Sequence, residues 1–345
     1  MATVKMVHFN TMCCEPILRE SADGTFVMLC QCDGLREPSA ENRVYVFRST
    51  DRGKTWDNGN IWRKGKLLRP DDGRAVYQTE VYLHNGRLTS FVMLHNGNFL
   101  DWDCRLFHSD DNGVSWFDGG KNPWFDEFVF MRGAITLKNG HVAIAYHYFP
   151  ISRDENEELK KLRHKKAWLL SSNAAYTGCG IVLSMDGGET FVRKPELRIE
   201  MKNGSERIWL WSEPALVQLS DNRLAMLMRK DGSGKLFLSF SEDEGMRWSE
   251  PKETDIPNPG NKPKLLKHSD GRIFLIHTPS LERDLRSPLQ VWVSTDNMNT
   301  WETVDTLAAG AGYYSYSDGF IDEKANKLYI SFENRHDLFF AEVDI

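Results

Sequence analysis

An octet that opens with Ser, carries Asp at its third place and closes on an aromatic occurs five times: Ser49 to Trp56, Ser109 to Trp116, Ser184 to Phe191, Ser241 to Trp248 and Ser294 to Trp301. A motif repeated at such spacing means that one supersecondary unit has been copied through the chain, so the fold must be an array of similar parts. Within the octet the Asp suits a turn whose N–H groups it accepts. Gly at the fifth place supplies a backbone angle that other residues resist, and the aromatic packs on the adjoining sheet. The fifth copy departs from the rest, with Met298 where the others have Gly.

A second pattern precedes each octet and recurs once more near the end: an apolar run, a turn dipeptide and another apolar run. The dipeptides are Asp23-Gly24, Asn85-Gly86, Asn139-Gly140, Asp221-Asn222, Asp270-Gly271 and Ala325-Asn326, spaced 62, 54, 82, 49 and 55 residues apart. Asn-Gly and Asp-Gly between alternating hydrophobics are strong hairpin signals. Each unit therefore reads as two strands joined by a tight hairpin, a third strand such as VYVFRS, the octet and a fourth strand. Six units of four strands predict an all-β, six-bladed propeller spanning residues 1–345. The sixth unit stops after its third strand, DLFFAEVDI, so the N-terminal TVKMVHF is expected to supply the missing strand and close the ring. The long third interval holds SRDENEELKKLRHKKA (152–167), which predicts a helical insertion at about 150–170.

With 43 Lys+Arg against 49 Asp+Glu and no long basic run, the chain is a poor match for nucleic acid. The start, MATVKMVHFN, lacks a basic and apolar leader, and no apolar stretch has the roughly 18 residues of a spanning helix. The expectation is a soluble, cytoplasmic protein away from membranes. Six cysteines are scattered through a chain too large to need disulfide staples, and Cys30-x-Cys32 is expected to hold buried free thiols. No metal-ligand spacing is visible, so neither a metal nor another cofactor is expected.

The octets and their number resemble the Asp-box repeats of the sialidase (neuraminidase) superfamily over essentially the whole chain. The resemblance implies an active site at the starts of the innermost strands, away from the octets. Those starts carry Glu15-Pro16, Gln78-Thr79-Glu80, Arg132-Gly133, Glu213-Pro214, Lys262-Pro263-Lys264 and Tyr314 to Asp318, a polar set where packed strands would want apolar residues. In the family a Tyr attacks the anomeric carbon, because a carboxylate nucleophile would be repelled by the sugar's own carboxylate. By resemblance, YYSYSDGF supplies Tyr316 as nucleophile with Tyr314 as alternative, and WSEPALVQLSDNRLAMLMR supplies Glu213 as its base and Arg229 as a carboxylate binder. Arg286, or else Arg283, is the second binder. The acid/base comes from CQCDGLREPSAENR, with Asp33, Glu37 and Glu41 eligible and the first two preferred.

Where the family opens blade 1 with Arg-Ile-Pro, this chain has Cys14-Glu15-Pro16. That leaves two of the three guanidiniums of the family's clamp and widens the expected substrate from sialic acid to uronic and other acidic sugars. Arg36, Arg74 and Arg132 are candidates for the third place. The expected activity is a retaining exo-glycosidase acting on an oligosaccharide or glycoconjugate. Other substrate-contacting candidates are Glu15, Glu80, Lys262, Asp318 and the three histidines that end second strands, His95, His147 and His277. Trp211, beside Glu213 and close to Trp209, suits stacking on a sugar face. Two other readings use the same residues. Glu15, Glu80 and Glu213 could pair as carboxylates in a different hydrolase, for which a separation of about 5–5.5 Å means retention. A lyase acting beside a uronate, or a carbohydrate-binding propeller without turnover, are further alternatives.

Overall fold

Alternation of side chains along every strand gives each sheet two faces, and in this chain both faces are apolar. In the second strand, Val27 and Leu29 join a buried cluster with Val76, Val81 and Val92 on one side. Phe26, Met28, Cys30 and Cys32 join Tyr329, Leu338 and Phe340 on the other. A sheet with two buried faces must lie between two others, and a ring of such sheets satisfies all of them at once.

The computed structural model describes residues 1–57, 60–61, 73–97, 102–125, 128–149, 176–200, 202–203, 206–207, 212–230 and 233–345. They form a six-bladed propeller of antiparallel four-stranded sheets. The innermost strands are Cys13–Glu20, Ala75–His84, Phe128–Thr136, Ala215–Gln218, Lys264–Lys267 and Tyr314–Asp322. Each turns back through one of the six expected dipeptides into a second strand, then a third that ends on the Ser of an octet in blades 1 to 5. Blade 6 is completed by Thr3–Phe9, which pairs antiparallel with Asp337–Asp344 as the sequence predicts. Leu197–Glu200 adds a fifth strand to blade 3, and a small hairpin, Lys202–Asn203 with Glu206–Arg207, lies on the way to blade 4. The expected helical segment and both Trp209 and Trp211 lie outside the described residues. Among those described, no helix is long and apolar enough to cross a membrane.

All five octets close in the same way. The Ser Oγ accepts the N–H of the fifth residue at 2.7–2.9 Å, from Gly53, Gly113, Gly188, Gly245 and Met298 in turn. It also donates to the Asp, whose carboxylate accepts the N–H of the seventh residue, Thr55 in the first copy and Thr300 in the last, each at 2.9 Å. Met298 takes the left-handed angle of its glycine counterparts, φ 72°. That conformation costs a side chain about 1–2 kcal/mol. Burial of Met298 in the cluster between blades 4 and 5 offsets it, since a buried apolar side chain contributes about 1.5–3 kcal/mol.

At Gly53 no such exchange is available, because a Cβ would stand 2.3 Å from the Phe340 ring. Gly53→Ala is expected to lower unfolding free energy by about 2–4 kcal/mol, combining backbone strain and overpacking. Gly187→Ala, at φ 75° with nothing within 4 Å, should cost only about 1–2 kcal/mol. Denaturant midpoints of the two variants, compared under one condition, measure the difference.

Candidate functional site

The innermost strands are irregular where they enter the ring. Their pairing slips between Cys14 and Ile17, Gln78 and Glu80, Arg132 and Ala134, and Ser315 and Asp318. A bulge of this kind turns a side chain out of the packed face and re-aims it. In blade 3 the left-handed residue at this level is Gly133, which bears the angle at little cost. In blades 1, 4 and 6 it is Glu15 (φ 47°), Glu213 (φ 35°) and Tyr316 (φ 47°). All three face one cavity.

That cavity, of about 520 Å³, brings together Glu15, Glu37, Arg132, Glu213, Arg229, Arg286 and Tyr316 from the sequence-expected set. Arg229 Nη1 donates to Glu213 Oε2 at 2.7 Å and to Tyr316 Oη at 3.5 Å, so one guanidinium joins the candidate base and nucleophile. Arg286 stands 5.3 Å from the Tyr316 ring centroid and 4.6 Å from that of Tyr313; it is held by Ser315 Oγ and the Gly260 carbonyl, each at 2.9 Å. Glu15 is gripped by Arg132 through both oxygens, with Lys262 Nζ 3.6 Å away. Arg132 Nη2 also lies 3.8 Å from Glu213 Oε1, so Glu15 and Glu213 share a cation.

Burial opposes ionisation of Glu15, but Arg132 and Lys262 outweigh it and hold the carboxyl below its ordinary range. Glu37 goes the other way: burial, and then the negative Glu15, push it up to about 7. It accepts the Cys14 thiol at 3.0 Å. Burial and the nearby Glu213 push the Tyr316 phenol well above its usual value, against the pull of Arg229 and Arg286. The phenol is neutral at rest.

Several expected residues lie elsewhere. Asp33 is turned to Tyr45, whose hydroxyl donates to it at 3.2–3.3 Å, and lies outside the lining; Glu41 is exposed. Glu80, Lys262 and Asp318 line a second cavity of about 490 Å³ along the central channel. There Arg19 bridges Glu80 and Asp318, Lys264 Nζ meets Asp318 Oδ1 at 2.5 Å, and Glu80 also accepts the Gly133 N–H. These carboxylates tie inner strands together. Glu80 is thereby removed from the carboxylate-pair reading.

The histidines are corrected likewise. His95, His147 and His277 are fully buried and line neither cavity, with His147 stacked on Phe130 (4.8 Å) and His277 edge-on to Trp292 (4.3 Å). Burial pulls His95 down to about 4 and His277 to about 3, so they pack as neutral rings. Tyr314 donates to the Ala309 carbonyl and Arg283 pairs with Asp284, both outside the lining; Arg74 pairs with Asp103.

Cavity residues absent from the sequence reading include Glu333, Arg335, Tyr313 and Tyr77. Like Arg229, Glu333 and Arg335 stand at or just past the end of their blade's second strand, a position that could have pointed to them. Glu333 accepts the Glu15 N–H at 3.1 Å, and burial raises its carboxyl well above the usual range. Arg335, exposed at the rim, stacks over Tyr313 at 4.3 Å. Arg36 is exposed at the same rim.

Residues 79–330 match the family model of the BNR repeat-like domain. A sialidase of Paraclostridium sordellii is 32% identical over 262 residues, which are 68% of this chain and 56% of that protein, so the chain spans just over half of this relative. Among solved structures, the Hadza microbial sialidase Hz136 superposes with a TM-score of 0.73 at 18% identity, over 99% of this chain and 68% of that one. A protein of unknown function from Dyadobacter fermentans superposes at 0.71 and 12% identity, over 100% and 99% of the two chains. At these identities the structural likeness bears on the fold.

The raised Glu37 carboxyl carries a stability consequence. An unfolded Glu releases its proton near pH 4.3, whereas the folded one keeps it to about 7. Between those values the folded chain binds more protons, so this contribution to stability falls as pH rises. Glu37→Gln should therefore gain stability relative to the parent from pH 4.5 to 7.5. A pH-independent difference in denaturant midpoints would contradict the assignment.

Proposed function

This chain belongs to the BNR repeat-like family of sialidase-superfamily propellers, and on that footing we propose that it is a retaining exo-glycosidase releasing a terminal acidic sugar, a sialic or uronic acid, from an oligosaccharide. The observation that carries this reading is Arg229 Nη1 touching both the Glu213 carboxylate and the Tyr316 hydroxyl.

The phenol is the nucleophile and Glu213 takes its proton as the bond to the anomeric carbon forms, since a neutral phenol meets no repulsion from the sugar's carboxylate. Glu37, protonated near neutrality, gives its proton to the leaving oxygen and then takes one from the water that frees the sugar. Arg229 and Arg286 bind the carboxylate, with Arg335 at the rim as a third guanidinium. Charge-assisted contacts of this kind contribute about 1.5–3 kcal/mol each.

Glu15 favours a second reading. Its carboxylate occupies the place of the family's first clamp Arg and neutralises Arg132, which suits a propeller that holds a glycan without cleaving it.

Turnover of fluorogenic sialoside and uronide substrates separates the two readings. For the glycosidase, Tyr316→Phe and Glu213→Gln should each lower kcat by about 10²-fold or more, and Arg286→Ala should act mainly on KM. Glu37→Gln should remove the alkaline fall of kcat/KM near pH 7. Unchanged kcat in both Tyr316→Phe and Glu213→Gln overturns the mechanism. Glycan binding without turnover of either substrate establishes the binding reading.

A further inference from the structure

Three of the six cysteines converge at the seam between blades 1 and 6. Cys30 and Cys32 are two residues apart on one strand and so share a face, and the antiparallel register sets Cys13 opposite Cys32. Their sulfurs lie within 4.8 Å of one another, with Cys13 Sγ and Cys32 Sγ 4.0 Å apart. All three side chains are buried, at 1%, 0% and 0% exposure, among Leu18, Met28 and Leu338. We infer that Cys13, Cys30 and Cys32 form a three-sulfur site for a soft, thiophilic cation of the copper(I) type.

The geometry selects the class of ion. With a metal–sulfur distance of about 2.3 Å, three sulfurs around a trigonal centre stand about 4.0 Å apart. That is the Cys13–Cys32 separation. Among the described residues no fourth His, Cys, Asp or Glu donor joins the group. Structural zinc takes four ligands in a tetrahedron, and hard cations take oxygens, whereas thiolate sulfur selects copper(I).

Entry also fits. Cys13 lines the large cavity, so an ion reaches the seam from solvent through the funnel. On binding, the thiols lose their protons to solvent. Neither the octets nor the candidate catalytic residues draw on this cluster.

The test is an anaerobic titration of the full chain with copper(I) held by a chromophoric competitor, followed by X-ray absorption at the copper edge. One equivalent should bind, surrounded by three sulfurs at about 2.3 Å. Cys32→Ser should weaken binding by at least about 100-fold, beyond the 10–100-fold typical of an outer-shell partner, while Cys104→Ser leaves it unchanged. Wild-type protein that binds no copper, or binds it through two sulfurs or through nitrogen and oxygen, overturns the site. So does a Cys32→Ser chain of undiminished affinity. Should Cys32→Ser fail to fold, the absorption spectrum of the wild type decides alone, and glycosidase activity does not enter the readout.

Discussion

Closure of the ring is the constraint on which the rest depends. Every blade is apolar on both faces, so an open array would leave two such faces in water, and the pairing of Thr3–Phe9 with Asp337–Asp344 removes that alternative. Closure also brings the two ends of the chain together. Asn10 N donates to the His336 carbonyl and Cys13 N to that of Arg335, so the segment leading into blade 1 is pinned on the last hairpin of blade 6. The same seam sets Glu15 against Glu333 and brings Cys13 beside the cavity. Fold and candidate site thus share one joint.

Within the cavity the carboxylates and cations are too few and too buried to be independent. Arg132 serves Glu15 and reaches Glu213, while Arg229 serves Glu213 and Tyr316. Removing one partner of a buried pair leaves the other uncompensated, which costs more than the pair contributes. Glu15 therefore has a structural duty that an Arg in its place could not discharge, because it would face Arg132 and Lys262. Glu15 and Arg132 are two halves of one arrangement. Burial, and then the negative charge retained there, keep Glu37 protonated.

How much of this was legible in the sequence depended on whether local chemistry or long-range register set the answer. The octets and hairpin dipeptides specify their own turns, so blade number, strand order and closure followed from them. Tyr316, Glu213, Arg229 and Arg286 were placed by resemblance to the family's pattern, and all four line one cavity. Glu80 and Asp318 occupy similar positions in the sequence, yet each stands where pairing resumes after its bulge, and there it lines the channel. Asp33 and Glu37 differ only in which way one loop folds, with Asp33 at φ 66° and bound to Tyr45. The histidines stand at or near the ends of second strands but are buried away from both cavities, and strand alternation near an irregular end did not distinguish the two. Cys13 joined Cys30 and Cys32 through cross-strand register, which spacing along the chain does not express.

The left-handed residues at the rim bear on what the cavity is for. Most non-glycine residues with positive φ here sit in turns, such as Arg52, Asn112 and Asn326, where the turn itself fixes the angle. Glu15, Glu213 and Tyr316 lie instead where inner strands begin. Each carries a cost of order 1–3 kcal/mol that only the surroundings can impose. Those surroundings are visible. The Glu15 carbonyl accepts Gln78 Nε2 at 2.7 Å, Tyr316 N meets Asn261 Oδ1 at 3.4 Å, and Glu213 is held by Arg229. Blade 3 shows the cheaper solution, a glycine, which aims no side chain anywhere. Where the chain keeps a Glu or a Tyr at that angle, it gains a functional group pointing into the cavity and nothing in packing. The strain therefore marks the three residues whose side chains the fold commits to this cavity.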